Sequence, residues 1–458
     1  MRLARFAFAA VLVPSLVLAQ PEKAPPERTP AQIADERAAA QRAAAAQRAA
    51  AEKARAAEKA AKQAAKDAAE RLKARQTRPD NDAIAARIVE AAGIHEGDIV
   101  LVRGSPRDAD LLDDIALAVR QHGASAVVQI PSERYTRRVH EDLPKETESQ
   151  IDPVQAHLAA SATAMISIDG EDNPTLLNHI AAPRLAASAR AESALDQLMF
   201  RRNVRRVSLG RGLYPTAATA NRYALTVDEL ERGFWMACST DPRPLKDMGE
   251  AVYSQLSSGT QVAITGPNGT DLKFRIESRA VFINDGMVSA EDARAGGASA
   301  LAWLPAGEAY CAVVPGSAEG KIVCDSLSYR GHEVQNLTIT FKAGRLNTIT
   351  AKSGLDLLRR MYDASGPANS TKGDLSWFDV GLNPDIAIPR GVKPLCSPLS
   401  GMVTLGIGNN LWAGGENGQA FTLSLYLPGC SVMVDKSTLV KDGVLAPTPA
   451  IPVPLLTP

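Results

Sequence analysis

The chain has six histidines, and none follows His332. Chemistry in its C-terminal third must therefore rest on carboxylates, amides, hydroxyls and thiols. Two carboxylates stand out. Glu308 follows Gly307 and opens a strand-like run, and Asp379 sits in "FDVGLNP". Each also reads as an ordinary residue, Glu308 at a domain interface and Asp379 capping a turn. Asn409, Asn410 and Asn417 lie among glycines, where Asn tolerates left-handed backbone, and Trp412 beside the Gly-Gly pair could flank a ligand. Cys324 and His332 could act as nucleophile and base, but no third group stands ready to orient them. "ITGPNG" and "SLGRG" lack the Lys-Ser/Thr ending of a phosphate loop. The chain has no Gly-x-Ser-x-Gly elbow.

Positioning elements follow from hydrophobic spacing. "DIVLVRG" and "SAVVQI" are short Val/Ile-rich strands flanking the helical "ADLLDDIALAVRQHG", which makes a βαβ unit and predicts a parallel sheet. "ATAMISIDG" and "RRVSLGRG" are further strands of it. "VDELERGFWMACSTDPRPLKDMGEAVYSQLSSG" reads as a helical bridge to a second domain. Beyond about residue 250, strands alternate and turns multiply, interrupted by the helical "GLDLLRRMYDAS", so a mainly antiparallel domain is expected. The fold class is thus an α/β domain with a parallel sheet, a mixed, mainly antiparallel α+β domain, and a long Ala-rich helix before both.

The chain divides into 1–19, 20–79, 80–245, 246–445 and a Pro-rich tail, 446–458. Residues 1–19 carry Arg2 and Arg5, an apolar run from Phe6 to Leu18 and small residues before Ala19–Gln20, the pattern of a signal peptide. The mature protein is expected to be soluble and periplasmic or secreted. In 20–79 a Pro-rich linker leads to a helix opened by Thr29 and Pro30, with Glu58/Lys62 and Asp67/Arg71 at i,i+4. Only Ile33 and Leu72 are large and apolar there, so it lacks a true coiled-coil seam. Twelve basic residues face six acidic ones in 31–79, whereas from Asp80 onward 35 face 43. The zero net charge thus hides a basic arm on an acidic body. The arm could meet an acidic partner or surface. No aromatic-studded basic patch argues for nucleic acid. Of the five cysteines, Cys311 and Cys324 face each other if "CAVVPGSAEGKIVC" folds as a symmetric hairpin, and they are the disulfide candidate in an exported protein. Two buried free thiols are the alternative.

From about 85 to 445 the chain resembles the metal-dependent aminopeptidases of the thermophilic aminopeptidase T and aminopeptidase S type. The resemblance rests on "GIHEGDIVLVRG", "GPNGTDLKF", "LPAGEAYCAVVPGSAEGKIV", "FKAGRLNTITA" with "GLDLLRRM", "FDVGLNP", "GMVTLGIGNNLWAGGENGQ" and "VMVDKSTLVKDGVL", in that order. It implies two divalent metals held by two acidic residues, two histidines and an aspartate. Carried over, the acidic ligands fall on Glu308 and near Asp379. The first histidine falls on Thr404, and the His-x-Asp pair on Thr422 and Ser424.

Three of five implied ligands are therefore hydroxyls, and zinc or cobalt wants imidazole, thiolate or carboxylate. Glu308 and Asp379, with Asn409 and Asn417, offer oxygen to at most a weakly held hard cation. The resemblance then implies an exported aminopeptidase-like protein with a degraded dinuclear centre. It would bind a peptide or small molecule in a cleft near Asn409, Trp412 and Asn417, with no cofactor expected, and it suggests a homodimer. The alternative is an active metal-dependent aminopeptidase with an altered site. Ring-opening dioxygenases share this frame with one iron, and the same losses count against them.

Overall fold

The computed structural model describes residues 29–30, 37, 41, 52–55, 57–59, 61–67, 69–70, 73–74, 77–147, 149–386 and 398–446. The signal-peptide stretch, the Pro-rich linker up to Arg28, Arg71, Cys396 and the tail from Pro447 lie outside them. The chain forms two compact units, 1–71 and 72–458. Every described residue between 30 and 74 is helical (α1). Lys62 pairs with Glu58 at 2.8 Å one turn away, both well exposed, which suits a solvated helix surface. Among the described residues, no helix is long and apolar enough to cross a membrane.

The second unit begins with α2 (Asn81–Ala91), whose cap is the Asp80 carboxylate accepting from Ala83 N. Ile84, Ala85, Ile88 and Val89 turn one face of it inward. Then come β1 (Ile99–Arg103), α3 (Ala109–Gln121), β2 (Ser125–Gln129), α4 (Glu133–Asp142), α5 (Pro153–Ser161), β3 (Ala164–Ile168), α6 (Ala182–Arg201) and β4 (Arg205–Leu209). The expected strand–helix–strand unit is present. Its sheet runs β2-β1-β3-β4-β8, parallel throughout. The fifth strand, β8 (Leu301–Leu304), comes from beyond residue 246 and ties the later chain into this sheet.

The bridging helical stretch is two helices after the short α7 (Ala217–Arg222): α8 (Val227–Cys238) and α9 (Pro242–Ser257). They break where Asp241 caps α9 by accepting from Arg243 N. The later chain adds β5 (Gln261–Thr265), β6 (Asp271–Arg275), β7 (Val281–Asn284), α10 (Ala290–Ala295), β9 (Glu308–Ala312), β10 (Glu319–Tyr329), β11 (His332–Lys342) and β12 (Arg345–Thr350). After α11 (Leu355–Ala364) come β13 (Leu375–Gly381), β14 (Val403–Gly408), β15 (Thr422–Leu427), β16 (Ser431–Val434), β17 (Ser437–Lys441) and β18 (Val444–Leu445). They make two antiparallel sheets, β12-β11-β10-β6-β5-β16-β17-β18 and β15-β14-β13-β9-β7.

The hairpin expected to join Cys311 to Cys324 does not form. Cys311 lies on β9, opposite Phe378 and Val281, while Cys324 lies on β10, opposite Leu337. The connection between them crosses from one sheet to the other. Val313 N donates to Ser376 O and Val314 N to Arg275 O. Both cysteines are buried free thiols.

Candidate functional site

The site lies on one face of the five-stranded antiparallel sheet. Tyr426, Thr404, Asp379, Tyr310 and Phe282 stand opposite one another across β15, β14, β13, β9 and β7. Residues paired across strands share a face, as do residues two apart. Glu308, two before Tyr310, therefore joins them. Glu308, Asp379 and Thr404 are completely buried. Of the positions the resemblance implied, these three converge.

Thr422 and Ser424 lie farther along β15, opposite Gly408 and Gly406. Thr422 is exposed and Ser424 half-buried. The space beside Gly406 is filled by an indole: a Cβ there would stand 1.7 Å from Trp377 Cε2. Thr422 instead lines a cavity of about 290 Å³ with Asn409, Trp412, Gln197 of α6 and Arg206 of β4. Asn417 is a loop pin, its Nδ2 donating to Thr371 O at 2.7 Å. His332 is exposed at the start of β11, and exposed His95 faces Asp98 at 3.3 Å.

Sequence reasoning missed Arg211. It follows β4 in "SLGRG", examined only as a strand and a failed phosphate loop. Arg211 Nε donates to Glu308 Oε1 at 2.9 Å and Oε2 at 3.2 Å. Its Nη2 lies 3.8 Å from Asp379 Oδ2. The side chain is 20% exposed, against 0% for both carboxylates. Asn284 Nδ2 also reaches Glu308 Oε2, at 3.4 Å. Burial alone would lower the guanidinium pKa, but the charges of Glu308 and Asp379 outweigh it and hold it above its ordinary value. The same environment, burial first and then the Glu308 charge, raises the Tyr310 phenol.

Aromatic rings close the site. The Arg211 guanidinium carbon lies 4.5 Å from the Trp303 ring centroid and 5.8 Å from that of Trp412. Trp303, Tyr310 and Trp412 stand 5.1–5.6 Å apart, and Trp377 lies 4.9 Å from Trp412. Three of the four tryptophans thus gather here.

The residues present do not fit a dinuclear metal centre. Among the described residues, no group of three His, Cys, Asp or Glu side chains could hold an ion. The third converging position, Thr404, offers a neutral hydroxyl. Both Glu308 oxygens already receive a cationic donor, so a metal would have to displace the guanidinium.

The profile of the thermophilic metalloprotease family M29 matches residues 82–370. Wild-type AmpT from Thermus thermophilus superposes with a TM-score of 0.59 at 14% identity, over 80% of this chain and 99% of that one. The 2,5-dihydroxypyridine dioxygenase of Pseudomonas putida KT2440 gives 0.50 at 12%, over 81% and 98%. Both likenesses show the fold. The profile match ends before β13, whereas the likeness to AmpT spans nearly that whole chain. No curated protein sequence matches this chain.

Proposed function

We propose that this chain, which belongs to the M29 thermophilic metalloprotease family, is a non-hydrolytic member that binds a peptide or other small ligand in the cleft beside its degraded centre. The observation behind the reading is the donor set: Glu308 salt-bridged to Arg211, Asp379 beside that guanidinium, and Thr404 as the third converging group. Dinuclear hydrolysis needs anionic and imidazole ligands that lower the pKa of bound water to about 7. Two carboxylates facing one arginine do not supply them. The cavity lined by Asn409, Trp412 and Thr422 leaves room for a small ligand. Arg2, Arg5 and the apolar run to Leu18 support export. The basic residues of 31–79 support contact with an acidic partner or surface, and dimerisation is proposed from the resemblance alone.

The test is metal content by elemental mass spectrometry, after incubation with zinc, cobalt and manganese and desalting, alongside cleavage of short peptides. The expected result is no metal above background and no release of N-terminal residues. Near two equivalents retained, with cleavage abolished by Glu308→Ala, would establish the active aminopeptidase instead.

A further inference from the structure

The geometry points to a centre rebuilt as an organic-cation cage that the chain fills from within. Glu308, Asp379, Trp303 and Trp412 form a site for a guanidinium, and Arg211 is its built-in occupant. The inference rests on the reading above that metals do not hold these carboxylates.

Three observations converge. Arg211 meets the two chemistries that recognise a planar cation. Carboxylate oxygens accept from its edge, with Nε sharing its proton between both Glu308 oxygens, and indole rings cover the guanidinium. Lysine, a compact ammonium, would not satisfy this geometry equally.

The second observation is the backbone that delivers the side chain. Arg211 has φ 47°, between Gly210 at 148° and Gly212 at 77°. A non-glycine residue in the left-handed region is uncommon and persists where surrounding structure holds it. The loop is held by Gly210 N donating to Leu304 O at 2.7 Å and Leu213 N to Gly210 O at 2.9 Å. A Cβ on Gly210 would meet Asp169 O at 2.6 Å. Two glycines and a strained arginine thus aim one side chain at one place.

The third observation is that the cage holds its occupant incompletely. Nη2 is buried and makes no hydrogen bond among the described residues, and 3.8 Å to Asp379 is too long for one. An arginine selected only to neutralise two carboxylates would be expected to bond both. Here Nε alone bonds Glu308 and the buried Nη2 bonds neither carboxylate, as when an organic cation stands where smaller ions belong.

The test is chemical rescue. Arg211→Ala removes the occupant and leaves the cage. Thermal unfolding is followed with millimolar n-propylguanidinium, n-propylammonium, Mn²⁺ or Ca²⁺, on variant and wild type. The variant should melt lower than wild type and recover most of that loss with propylguanidinium. The other three should recover less, and wild type, its cage filled, should not shift. Equal or better rescue by a divalent ion would overturn the inference in favour of a latent metal site, and no rescue by any cation would overturn it outright.

Should the variant not fold, Arg211→Met is compared alone and combined with Glu308→Gln and Asp379→Asn. The cage requires the triple variant to regain stability that the single one loses, and a triple variant no better than the single one refutes it. Metal retention by wild type would overturn the proposed function, and the rescue experiment has its own readout.

Discussion

Two arginine–carboxylate assemblies lie deep in the second unit, and they are built differently. In the parallel-sheet layer, Arg205 Nη2 donates to Asp98 Oδ1 at 2.5 Å, and its other terminal nitrogen donates to the carbonyl of Gly93. Asp98 also accepts from His95 N at 2.9 Å and Thr163 Oγ1 at 2.7 Å. The two side chains are 8% and 3% exposed. Burial pushes the Asp98 carboxyl up, but its bonds from Arg205, His95 and Thr163 outweigh that and hold it below the usual range. Arg211 has two carboxylates for one guanidinium and, among the described residues, a terminal nitrogen with no hydrogen bond. A pair that only holds a fold is satisfied on every side, because each buried orphan costs about 1–3 kcal/mol.

The largest effect should come from breaking the satisfied pair. Asp98→Ala strands Arg205, and urea unfolding should show a loss of about 3–5 kcal/mol. Neutralising both, Asp98→Asn with Arg205→Met, should recover little, because bonds to Gly93, His95 and Thr163 are also lost or weakened. Arg211→Met should lose less, about 2–3 kcal/mol, since Arg211 is partly exposed, and there full neutralisation should recover most. If both sites respond alike to neutralisation, the contrast fails. Gly406→Ala should lose about 1–3 kcal/mol, because its Cβ would overlap the Trp377 ring. Shifted tryptophan fluorescence should report it.

A smaller effect separates the pairs by pH. With its folded pKa lowered, Asp98 contributes stability that is present above the unfolded value of about 3.9 and lost as pH falls through the folded one. Stability measured from pH 6 downward should fall below about pH 4, less steeply in Asp98→Asn. Arg211, raised above its ordinary value, contributes stability lost only as pH climbs through alkaline values. The smallest effect tests the sheets. Burial, with the Asp379 charge, pushes the Cys311 thiol up to about 12, and burial, with its neighbours Cys430 and Asp325, does the same for Cys324. Reductant should leave the melting temperature unmoved, and native protein should resist thiol labelling at both positions. A drop on reduction would mean that the sheets are not arranged as described.

The elements were legible where periodicity carries information. β1, α3 and β2 follow from alternation and helical spacing because each is short and set by its own residues. The Cys311–Cys324 hairpin misled because a Pro-Gly-rich segment looks alike whether it turns a strand back or carries it to another sheet. The difference lies in what Val313 and Val314 bond, Ser376 and Arg275, and neither is a neighbour in sequence. Of the five positions carried over from the resemblance, the structure brings together Glu308, Asp379 and Thr404, while Thr422 and Ser424 lie farther along β15. Arg211 was invisible because its contact with Glu308 spans 97 positions. The flanking Gly210 and Gly212 were the signal available, since Gly-x-Gly after a strand marks a loop that presents its middle residue.

The sequence by itself determined which donors the C-terminal third can offer. With no histidine beyond His332, chemistry in the C-terminal third rests on carboxylates, amides, hydroxyls and thiols whatever the fold, because donor chemistry belongs to residue types. The tertiary structure decided what faces them. Which charge faces the buried carboxylates depends on the positive group that packing brings within about 4 Å of them, and that distance is fixed where a loop from the parallel sheet meets a face of the five-stranded antiparallel one.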